Sequence, residues 1–152
     1  MSITGFASDI MNLMVASYNG MEITMKKNNK NVNRNTNGSF LYLFPENVNA
    51  MQLHDALDYL NEKQLEVWTQ INLLEVTIEE GTITFEDMME SLNQEDFKTL
   101  EKLGMKKVYA VDYALTDKLP LYKVMETLAN KFGGKPGSDT EDFKPFINIK
   151  SL

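Results

Sequence analysis

The stretch that decides the fold is LEVWTQINLLEVTIEEGTITF, residues 65–85. Leu65, Val67, Thr69, Ile71 and Leu73 recur at every second position, as one face of a strand does, although Val67, Trp68, Ile71 and Leu74 also share a helical face. The β-branched content tips the reading to strand, leaving helix as the alternative. The alternation shifts phase at Leu73-Leu74, which a bulge inside one strand over 65–78 would explain. Glu79-Glu80-Gly81 then turns the chain back into a second strand over 82–85, so an antiparallel hairpin sits at the middle of the chain.

Working outward, Asn49 is placed to cap a helix with the buried stripe Leu53, Ala56, Leu57 and Leu60, running to about Asn61 and leaving His54, Asp55 and Asp58 on wetter faces. The apolar run 40–44 stops at Pro45 and reads as a strand; Met21, Ile23 and Met25 alternate and read as its partner. Between them, 27–39 holds six asparagines and Asn37-Gly38 with almost nothing to bury, and reads as a flexible, exposed hairpin loop. Ile3, Phe6, Ala7, Ile10, Leu13, Met14 and Tyr18 make one face of a first helix, ended by Asn19-Gly20.

On the other side, Thr84 with Asp87, and Asn93 with Asp96, have capping spacing. They predict two helical pieces, carrying Met88, Met89 and Leu92 and then Phe97, Leu100 and Leu103, that end at Gly104. Val108, Ala110 and Tyr113 continue as a strand, 122–132 is a helix closed by Gly133-Gly134, and 143–149 reads as a last short strand. The expected architecture is a single α+β domain over 1–152, a mainly antiparallel sheet packed against three or four helices.

Charge is distributed unevenly along this framework. From Glu46 to Glu101 there are 14 acidic residues and only two basic ones, Lys63 and Lys98, in a chain of net charge −7. A one-signed surface attracts partners of opposite sign and repels nucleic acid and anionic membranes. The stretch Lys26, Lys27, Lys30 and Arg34 is the exception. It lacks stacking aromatics, so nucleic-acid binding is not expected there; a solvated loop, or a counter-charge to the acidic face of a second copy, suits it better.

The absence of cysteine removes disulfides, thiol nucleophiles and thiolate metal sites, and is compatible with a reducing, cytoplasmic setting. No apolar run approaches the roughly 20 residues that a membrane-spanning helix needs. Arg34 is the lone arginine, so no arginine clamp can form. His54 is the lone histidine, with Asp58 four residues on to raise its basicity, and no nucleophile is marked for it to activate. Glu75, Glu79, Glu80, Glu86, Asp87 and Glu90 offer oxygen ligands to a hard cation, but helix first turns and solvated faces account for them as well. The 133–142 segment has glycines and then acids in neither phosphate-loop nor EF-hand order.

These residues specify no reaction, so no catalytic group, cofactor or metal is assigned. The expected function is an acidic protein-binding module, an inhibitor or immunity-type antagonist of a basic protein, an expectation that rests on electrostatic analogy. Its contact surface is expected from Asp55, Asp58, Glu62, Glu66, Glu79, Glu80, Glu86 and Glu90, with Tyr59 and Trp68 as aromatic anchors. The alternatives are an assembly subunit of a mobile-element or virion complex, homodimeric through its first helix, and a carboxylate- or metal-dependent enzyme.

Overall fold

The structure is a computed structural model that describes residues 36–152. The first helix, the strand over 21–26 and the 27–35 part of the asparagine-rich loop lie outside the described residues. Six strands, β1 (Thr36–Phe44), β2 (Leu65–Trp68), β3 (Leu73–Ile78), β4 (Gly81–Asp87), β5 (Lys107–Leu115) and β6 (Lys135–Gly137), form one antiparallel sheet in the order β2-β3-β4-β5-β1-β6. Three helices accompany it, α1 (Ala50–Ala56), α2 (Gln94–Leu103) and α3 (Leu119–Phe132). The fold is α+β.

The hairpin between β3 and β4 forms as its sequence predicts, with Ile78 opposite Gly81 across Glu79-Glu80. Gly81 has φ +142°, and a Cβ there would overlap the Ala114 carbonyl oxygen on β5, so only glycine lets β4 start this close to its neighbour. The single strand expected over 65–78 is instead two. Asn72 adopts a left-handed φ of 52° and reverses the chain, pairing Trp68 with Leu73; the phase shift at Leu73-Leu74 is a turn, not a bulge. Residues 36–39, expected in a loop, extend β1 and pair with β5.

Further corrections concern element ends. Helix α1 stops at Ala56, short of Asn61, where Leu57 leaves helical geometry with φ −91° and ψ 50°; Asn61 then starts a separate 3-10 turn with Gln64 in a reciprocal capping arrangement. Thr84 and Asp87 belong to β4, and only a 3-10 turn, Met89–Ser91, follows. The last strand is β6, whereas 143–149 forms no strand. The Asn93/Asp96 box, the left-handed Gly104 and the helix closed by Gly133 stand as read.

Alternation divides the sheet into two faces. On the inner face Phe40, Tyr42, Phe44, Ile83, Phe85, Tyr109 and Val111 pack under α1 and α3, through Leu53, Leu57, Leu121, Val124 and Leu128. Each such side chain contributes roughly 1.5–3 kcal/mol by leaving water. The outer face is partly covered. Leu43 and Val108, on β1 and β5, are buried with Leu100 of α2 and Phe143 of the C-terminal loop, while Glu66 and Trp68 of β2, Thr77 of β3 and Glu86 of β4 are exposed.

Candidate functional site: an acidic sheet face

Register collects the outer-face acids into rows. Glu66 on β2 stands opposite Glu75 on β3, Glu75 opposite Thr84 on β4, and Thr84 opposite Asp112 on β5. The adjacent row runs Trp68, Leu73, Glu86 and Ala110. Like charges directly opposite on a sheet repel, and here no ion pair among the described residues engages Glu66, Glu75, Glu86 or Asp112. Glu66 is held by a hydrogen bond from the indole of Trp68 at 3.0 Å, and that ring is 42 % exposed. An exposed tryptophan beside a row of carboxylates joins an aromatic anchor to a one-signed field.

The other expected contact residues fall elsewhere. Tyr59, Glu79 and Glu80 meet in a cleft with Asp117 and Leu119, where the Lys123 ammonium lies 4.3 Å from the Tyr59 ring centre and so engages that anchor. Glu90 sits in the 3-10 turn after β4, and Asp58 is exposed after α1. Asp55 and Glu62 face His54, accepting from its Nδ1 and Nε2 at 2.9 Å each. Glu62, not Asp58, is thus the second carboxylate of the lone histidine. A carboxylate on each nitrogen favours the charged ring, and the Asp55 bond above all raises its pKa. This cluster ties the 3-10 turn to α1 and presents no free base.

Asp87 forms no helix-capping box with Thr84, since both lie in β4. Its carboxylate accepts from Lys107 Nζ at 2.7 Å, Asn72 Nδ2 at 2.6 Å and the Met89 N–H at 2.7 Å. Burial alone would raise its pKa; these donors outweigh burial and lower it. Asn72 also donates to Tyr109 Oη, which donates to the Val48 carbonyl, and accepts from the Ala50 N–H that opens α1. Across the described residues no three acidic or histidine side chains converge as metal ligands.

No protein-family model, curated protein or solved structure matches the chain. The site therefore rests on geometry alone, and geometry adds two features that the sequence reading lacked. Glu75 and Asp112 join the acidic row only through register. A groove of about 510 Å³ adjoins that row, between β1, β5, α2 and the C-terminal loop. Its lining draws on residues from 39 to 147, a spread that no local sequence signal marks.

Proposed function

We propose that the chain is a cytoplasmic binding module that antagonises a basic protein in the manner of an immunity protein, docking it on the outer face of the sheet. The carrying observation is the acidic row Glu66, Glu75 and Asp112, with Glu86 beside it, which no described cation engages. Such a row costs stability and offers a favourable field to a cationic partner, whose approach it accelerates. Trp68 gives that surface the kind of aromatic residue on which binding energy concentrates.

The test is capture from lysate of the source organism with stepwise salt elution, followed by association kinetics on the protein recovered. A basic protein should elute at moderate salt, and Glu66→Lys with Glu86→Lys should slow its association and flatten the salt dependence. Unchanged kinetics in that double variant would refute the docking face. Recovery of the chain alone would favour self-assembly.

A further inference from the structure

We infer that the groove on the outer face seats an apolar side chain from a lysine- or arginine-bearing segment of the partner, whose cations reach carboxylates on either side. This rests on the antagonist reading above and names the chemistry that the partner must present. The floor is made by Leu41 and Ala110, which project from β1 and β5 on the outer face, backed by the buried Val108 and Phe143. Every charged residue of the lining, Asp96, Asp112 and Asp139, is acidic. A second hollow of about 720 Å³ shares Asp96 and Thr140 with the first and adds Glu95, Glu141 and Asp142. On the opposite side Asp112 continues through Thr84 to Glu75 and Glu66. An apolar floor therefore lies between two acidic flanks, and no lysine, arginine or histidine lines either hollow.

That combination selects its occupant. An anionic or neutral apolar group would fill the floor while leaving Asp112, Asp139 and Glu141, which no described cation pairs, without counter-charge. A purely cationic segment would answer the carboxylates and leave the floor wet. Only a segment that alternates or brackets an apolar residue with cations satisfies both. At about 510 Å³ the groove falls within the usual range of ligand pockets and holds one large side chain with room for backbone.

The experiment is a titration of the 15N-labelled full chain with two peptides, acetyl-Lys-Lys-Leu-Lys-Lys-amide and the same peptide with serine for leucine. The leucine peptide should shift the amides of Leu41, Val108, Ala110 and Phe143, and the serine peptide should bind roughly tenfold more weakly, the factor expected for partial burial of one leucine. Ala110→Phe, which fills the floor, should abolish those shifts. If its own spectrum shows misfolding, Asp139→Lys on the exposed rim serves the same purpose by charge. Equal affinity for the two peptides, with shifts scattered over all acidic surfaces, would overturn the groove site and leave the antagonist reading standing. Failure of the wild-type chain to capture any basic protein would instead overturn that reading. Groove signals that move with the concentration of the chain alone would assign the groove to a second copy, and would also overturn the inference.

Discussion

Asn72 does three jobs at one position: it turns the chain with a left-handed backbone, donates to Asp87 and Tyr109, and receives the first N–H of α1. Asn72→Gly keeps the turn and removes the amide, so it should cost about 3 kcal/mol through the unsatisfied groups it leaves, and Asn72→Ala about 1 kcal/mol more through backbone strain. Denaturant unfolding of the two variants separates these effects, and equal costs would mean that the left-handed turn carries no strain. Asp87 binds its proton more weakly folded than unfolded, so its contribution is present above the unfolded pKa near 4 and fades as the pH falls through the folded value. The stability gap between the wild type and Asp87→Asn should therefore narrow on acidification from about pH 5. His54 has the opposite sign. Its folded pKa is raised, so its contribution is complete below the unfolded value near 6.5 and is lost as the pH rises through the folded one. The NMR titration of this lone histidine should move to lower pH in Asp55→Asn and in Glu62→Gln, and an unmoved midpoint in both would dissociate the ring from its carboxylates. The Asn72 network was not legible beforehand, because Asn72, Asp87 and Tyr109 meet only after β4 and β5 have paired; the raised basicity of His54 was legible, although the sequence pointed to Asp58 and the carboxylates are those of Asp55 and Glu62.

At the scale of elements, reading succeeded where the signal is local. The Asn93/Asp96 box and Gly104 bracket α2 as their spacing says, and Asn93→Ala should lower stability by about 1 kcal/mol in a thermal melt. The β3–β4 hairpin was equally legible, although the turn read as Glu79-Glu80-Gly81 is Glu79-Glu80, with Gly81 already in β4. Misreadings arose where two local signals competed. The apolar stripe continues through Leu57 and Leu60 although α1 ends at Ala56 and Asn61 caps a separate 3-10 turn, and Asn72 takes a conformation that a strand cannot hold, so the 65–78 stretch becomes a hairpin of its own. Asn37-Gly38 looks like a turn, but Gly38 lies in β1 opposite Tyr113 on the adjacent strand. Long-range pairing overrode local preference there.

For the whole molecule, the acidity of 46–101 was plain in the sequence, yet its division among three surfaces was not, since helix, turn and sheet distribute neighbouring acids in different directions. Glu75→Lys puts a cation opposite Glu66, and should raise the melting temperature by the equivalent of roughly 0.5–1 kcal/mol while weakening capture of the basic partner. A variant that is more stable and binds as before would show that the row serves no partner. The strand order has a kinetic consequence. Among the described residues β1 has only later neighbours, β5 and β6, and its ladder with β5 joins positions 63 to 79 residues apart. During synthesis the β2-β3-β4 meander can zip up as it emerges, whereas β1 waits for its described partner until β5 has left the ribosome. The slowest step of folding should thus be closure of β5 onto β1, and in that interval the nascent chain is most exposed to aggregation and most in need of a chaperone.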